Sequence, residues 1–354
     1  MRRVLAAAIV LISALQLLFA PSIRAQALPS KPEAADWVRK AIEASYLDAP
    51  GASPFHLVAK IHYTVGEQVL DGSYEILWAA PDRYRLELRL GSVGETDVIL
   101  GNKKYVARTT PTMTLAFWSV SALFDNIAGL APATPSAFRV AKVVFVNDQA
   151  RRRIRVTEGG SVALARQFDF DPSSFEVVAQ RILPKDYGPL PQPTYSVEMT
   201  DYINLGKLRY PQEISHRNGP EQILASVEKL EPVQIFGDDV FVPLASGKVW
   251  EWCAAPEIRQ PKNPPPLPPG AIFVPAGNLN VAPVFKTSYL AVYKIVAADG
   301  QARQVTQILG PTGTMETAFV EHERRYPSPI HLCDGHPIEY ETVLPFWPLN
   351  VNPW

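Results

Sequence analysis

Cysteine is scarce in this chain, with two in 354 residues, which excludes a small fold held together by disulfides in place of a core. Charge is also sparse and balanced, at 19% of residues with a net value of −1, which argues against nucleic acid, a partner that would call for a basic face. Beyond residue 20 no apolar run is long enough to cross a bilayer. The short signatures of catalysis are missing too. There is no Gly-x-Ser-x-Gly elbow, no His-Glu-x-x-His pair, no Walker loop, and no Gly-x-Gly-x-x-Gly after a strand. These absences favour a protein that binds over one that catalyses, with no cofactor; a hydrolase whose catalytic residues meet only in the fold stays as an alternative.

What is present begins with an address. Met1-Arg2-Arg3 is a short basic region, residues 4–20 are almost uninterruptedly apolar, and Ala25-Gln26-Ala27 has the small-x-small pattern of a signal-peptidase site. The expectation is a signal peptide over 1–27, cleaved after Ala27, and a periplasmic product. Seventeen apolar residues stand at the lower limit for a bilayer span, so the other expectation is an uncleaved inner-membrane anchor.

A hydrophobic share of 47% suffices for more than one core, and the 34 prolines gather at junctions. From 54 to 232 the sequence alternates. Phe55, Leu57, Ala59, Ile61, Tyr63 and Val65 share one face, with His56, Lys60, His62 and Thr64 mostly on the other. Tyr84, Leu86, Leu88 and Leu90 alternate likewise with Arg83, Arg85, Glu87 and Arg89. Turns such as Asp71-Gly72, Pro81-Asp82, Gly101-Asn102 and Asp171-Pro172 punctuate about a dozen such segments, one of them starting at Phe175 and running to Leu183. Only two stretches favour helix: 32–46, with Ala35, Val38, Ile42 and Tyr46 near one stripe, and 114–130, which is apolar nearly all round and therefore expected to be buried. The fold class is mainly β, α+β, with a large curved antiparallel sheet over 28–250.

An N-terminal helix, a meander of amphipathic strands and an interrupting apolar helix together resemble the LolA and LolB lipoprotein-sorting proteins. The resemblance implies a half-barrel that holds a lipid or lipoprotein acyl chain against its concave face. Leu115, Trp118, Leu123 and Phe124 of the helix, with Tyr84, Leu86 and Leu88 of a facing strand, would line that groove. The same pattern also fits a helix that fills the concavity as ordinary core.

A proline-rich linker is expected over 251–271, where Pro261-Lys-Asn-Pro-Pro-Pro-Leu-Pro-Pro269 reads as a semi-rigid spacer. Beyond it, over 272–354, comes an alternating strand Leu290-Ala-Val-Tyr-Lys-Ile-Val296, a turn at Asp299-Gly300, and a second strand near Val305. A helix over 314–323 follows, then Arg325-Tyr326-Pro327 and Cys333-Asp334-Gly335-His336-Pro337 before a closing strand. Over about 272–348 this order resembles the C-terminal domain of TonB. The resemblance implies a small α+β module, with Tyr293 and Ile295 packed inward, that docks to an envelope protein or to peptidoglycan through a sheet edge.

Cys253 and Cys333 are expected to pair, because an exported protein meets oxidants. Two other outcomes stay open: free thiols, or a metal site drawing on His331, Cys333 and His336 with His322 and Cys253 nearby. Arg151, Arg152, Arg153 and Arg155 form the densest basic run, read either as a solvated sheet face or as a contact for lipid headgroups. Asp238-Asp239 and Glu321/Glu323 read as solvated pairs rather than acid/base machinery.

Overall fold

The computed structural model describes residues 28–48, 52–125, 139–148, 151–159, 164–184, 195–245, 247–261, 290–311 and 313–346. The expected signal peptide, the end of the apolar helix beyond residue 125, and 262–289 with most of the proline spacer lie outside the described residues.

Helix α1, Lys31–Ser45, starts with a complete capping box: Ser30 accepts from the Glu33 amide, and Glu33 reaches back to the Ser30 backbone. Five strands follow as sequential hairpins: β1 Phe55–Val65, β2 Gln68–Ala80, β3 Arg83–Leu90, β4 Val93–Leu100 and β5 Lys103–Arg108. Helix α2, Leu115–Asp125, interrupts them. A second meander then runs through β6 Arg139–Asp148, β7 Arg151–Gly159, β8 Leu164–Phe170, β9 Val177–Pro184, β10 Tyr195–Leu205, β11 Leu208–Asn218 and β12 Glu221–Pro232. Strand β12 returns to pair with β1, and β13, Lys248–Glu251, adds to β5. The result is one 13-stranded antiparallel sheet in the order β13-β5-β4-β3-β2-β1-β12-β11-β10-β9-β8-β7-β6. Strands β13 and β6 end it, so among the described residues the sheet does not close into a barrel.

Side-chain alternation decides which face is covered. On β1 the six apolar residues named above are buried, while His56 meets Glu75 and His62 meets Asp71 on the other face, each at 2.7 Å. Gly72 faces the Arg89 carbonyl so closely that a Cβ there would stand 1.7 Å from its oxygen, so no other residue fits without moving β3.

The rest of the chain forms β14 Glu257–Arg259, β15 Leu290–Val296, β16 Ala302–Leu309, helix α3 Thr314–Arg325, β17 Ile330–Cys333, β18 His336–Ile338 and β19 Tyr340–Phe346. Strand β15 lies centrally in a three-stranded sheet, β16-β15-β19, and all seven of its residues are buried. Leu290 and Val292 pack with Val305, Phe319 and Val320 beneath α3. Ala291, Tyr293, Ile295 and Val343 point the other way and join the core of the large sheet. The small sheet is thus covered on both faces. The segment expected as a linker differs in its first part: β13 and β14 tie it to β5 and to β17. Cys253, between those two strands, is bonded to Cys333, with Cα atoms 5.8 Å apart.

Candidate functional site

The residues expected to line a groove do meet, and they meet as packed core. Leu86, Leu88, Leu115, Leu123 and Phe124 are buried in one cluster, with Tyr84 and Trp118 partly buried against it. Phe124 stacks on Tyr74 with centroids 4.9 Å apart. Helix α2 is apolar all round because it lies on the concave face, with β19 also against it.

Open volume lies elsewhere, where α1 crosses the far end of the second meander. A cavity of about 310 Å³ is lined by Trp37, Ala41, Phe175, Val177, Met199 and Tyr202, with exposed Lys40 and Arg209 and partly buried Glu176 also reaching it. Helix α1 buries Ala34 and Val38 and packs Trp37, Ala41 and Ile42 against the core, a stripe turned slightly from the expected one. Trp37 meets Phe170 edge-on at 5.8 Å and Phe175 at 4.7 Å.

Phe175 stands in the β8–β9 turn, where the alternation had placed the start of a strand. Asp171 shapes that turn. Its carboxylate accepts from the amides of Ser173 at 2.7 Å and Ser174 at 3.1 Å, and the Phe175 amide donates to the Asp171 carbonyl at 2.9 Å. The backbone of Phe175 is left-handed, with φ +61°. Arg209 pairs with Glu176, and the Tyr202 hydroxyl donates to the Val177 carbonyl, so the turn is fastened from β10 and β11. Neither Trp37 nor Phe175 stands out from sequence as a site residue; the signals were an aromatic beside the buried stripe of α1 and a Phe at the end of a Pro-Ser-Ser turn.

A second polar assembly joins the large and small sheets. By register Glu95 lies opposite Leu88 and Asp97 opposite Leu86, which puts both carboxyls on the concave face. Arg108 meets Glu95 at 2.6 Å and Glu341 of β19 through two nitrogens, one at 2.8 Å. Lys104 meets Asp97 at 2.7 Å, and the Tyr293 hydroxyl donates to Glu341 at 2.9 Å. Burial, and then the Asp97 charge, push Glu95 up to about 8. Burial works against the charged Glu341 as well, but Arg108 and Lys104 outweigh it and hold this carboxyl below its ordinary range. Three carboxyls face two cations, so a proton retained on Glu95 leaves the assembly neutral. Elsewhere on the concave face, burial pushes Glu221 up to about 7 even though Tyr63 donates to it at 2.8 Å, and burial pushes His216 down to about 4.

The remaining expected residues are accounted for structurally. With both cysteines in the disulfide, no thiol is left for a metal, and His331 stacks on Tyr340 at 3.7 Å. Among the described residues no group of three or more His, Cys, Asp or Glu could hold an ion. Within the basic run, Arg155 turns to buried Asp169 and Arg152 lies over Phe145. Asp238 pairs with Arg83, and Glu323 with buried Lys294.

No family model and no curated protein matches the chain. Among solved structures, a LolA superfamily protein from Nitrosomonas europaea is 10% identical, over 58% of this chain and 96% of that one, with a TM-score of 0.36. A putative outer membrane lipoprotein-sorting protein domain from Vibrio parahaemolyticus is 6% identical, over 60% and 97%, with a TM-score of 0.37. A chain in the MucA/MucB complex structure of Pseudomonas aeruginosa is 12% identical, over 91% and 96%, with a TM-score of 0.29.

Proposed function

We propose that this is a non-catalytic binding protein of the bacterial cell envelope that takes a single apolar chain at the open end of its curved sheet. The observation that carries the proposal is the cavity between α1 and β9–β11, walled by Trp37, Phe175, Val177, Met199 and Tyr202. Its 310 Å³ stands at the lower end of ligand pockets, which run from about 300 to 1,000 Å³, so it suits one chain rather than the several chains of a mature lipoprotein. At about 0.8 kcal/mol per buried methylene, roughly ten methylenes would supply about 8 kcal/mol, which corresponds to micromolar affinity before ordering costs. An envelope location is supported by the disulfide, which persists in oxidising compartments, and by the signal-peptide pattern over 1–27. The TonB-like module serves in this proposal as a fixed wall of the half-barrel, because its central strand is buried on both faces.

Titration of the purified protein with dansyl-undecanoic acid tests the pocket. The expected result is a saturable, one-to-one rise in fluorescence with a micromolar midpoint; no saturable signal below the aggregation threshold of the probe would reject it.

Docking is a second role with its own support. Strand β16 has β15 on one side and, among the described residues, no strand on the other, with Arg303 and Gln304 exposed. An extended segment of an envelope protein would add there by backbone pairing. A photo-crosslinker placed at Gln304 should yield one discrete adduct in envelope extracts; a smear or no adduct would remove this role.

A further inference from the structure

The turns of this protein place glycine where the backbone is left-handed, as at Gly66, Gly91, Gly101, Gly206 and Gly219, with φ between +55° and +60°. Among the described residues three that are not glycine also have positive φ: Asp201, Asp334 and Phe175. Aspartate tolerates it through local hydrogen bonds, whereas a bulky aromatic does not. Phe175 is therefore strained, and strain of this kind persists only where surrounding structure enforces it. Core packing is a poor explanation, because the residue is 47% exposed.

What the conformation achieves is a position. The ring lies edge-on to Trp37 at 4.7 Å, and Phe175 lines the cavity together with Val177 and Met199. The surrounding bonds hold it there: Asp171 closes the turn, and Arg209 grips Glu176, the next residue in the chain. Glycine in the same place would relieve the backbone and remove the wall. We infer that Phe175 is a binding residue kept at the expense of stability, held in place as one jaw of an aromatic clamp with Trp37 against which an apolar chain entering the cavity lies. The inference rests on the cavity being a chain-binding site. The half-exposed residue becomes covered when a chain lies against it, and burying its apolar surface then offsets the strain.

Two substitutions separate the ring from the backbone. Phe175→Gly should raise the melting temperature by a few degrees and weaken dansyl-undecanoic acid binding about tenfold, the scale of one aromatic contact. Phe175→Leu keeps a strained side chain and loses the ring, so binding should weaken without any rise in melting temperature. A Phe175→Gly protein that binds as the wild type does, or that melts at a lower temperature, overturns the inference. Wild-type protein that fails to bind the probe removes the pocket and the clamp together, so the two failures are told apart by the wild-type titration alone.

Discussion

Arg108 reaches 233 residues along the chain to Glu341 and is only 8% exposed in its side chain, while Glu341 and Glu95 are 4% and 1% exposed. Removing one partner of such a buried assembly leaves uncompensated charge. Arg108→Met should therefore cost about 3 to 5 kcal/mol in urea denaturation, and Glu341→Leu added to it should recover part of that loss. Titration gives a second test at this scale. Glu95, near 8, and Glu221, near 7, keep protons in the folded state that the unfolded chain gives up near 4.5. Their stabilising share is thus full below 4.5 and is lost as pH rises through the folded values. His216 runs the other way, since the unfolded ring charges below 6.5 while the buried ring stays neutral to about 4, so it acts only on the acid side of that window. Between about pH 6.5 and 8 the melting temperature should fall, and Glu95→Gln with Glu221→Gln should flatten the slope. An unchanged slope in the double variant would place the dependence elsewhere.

At the scale of elements, the strands of both meanders were legible because one face is apolar and the other wet, as in β1. Strands β13 and β14 were not. At four and three residues they are too short to show a period, and their partners β5 and β17 are distant in sequence. The position of α2 was legible from its uniform apolarity, but whether it leaves a groove depends on what else covers the sheet, and that is set by β15. The run Leu-Ala-Val-Tyr-Lys-Ile-Val carried a signal: an almost unbroken apolar strand is covered on both faces. Phe175 was illegible because alternation assigns a phenylalanine to a strand, and only the turn chemistry of Asp171 moves it. Two predictions belong here. Phe124→Ala should cost about 3 to 5 kcal/mol, read from chemical denaturation, because α2 fills the concave face; a loss under about 1 kcal/mol would mean that the helix is loosely held. Cys253→Ser with Cys333→Ser should cost about 2 to 4 kcal/mol, short of the full entropy of an 80-residue loop because β13 and β14 still hold both ends of the segment.

At the scale of the whole molecule, an open curved sheet presents an apolar face too large to leave in water, and three covers answer it: α1 at one end, α2 near the middle, and the β16-β15-β19 sheet at the other. The last two covers are fixed, by the Phe124 stack and by the Arg108–Glu341 assembly with the disulfide. Beside α1 the cover is incomplete, and there the cavity opens. The measurement that bears on this most directly is native mass spectrometry of protein extracted gently from its own envelope. Binding at this opening predicts a population heavier than the polypeptide by the mass of one single-chain amphiphile, or the appearance of that population after incubation with palmitic acid. The bare polypeptide mass both before and after incubation would contradict it.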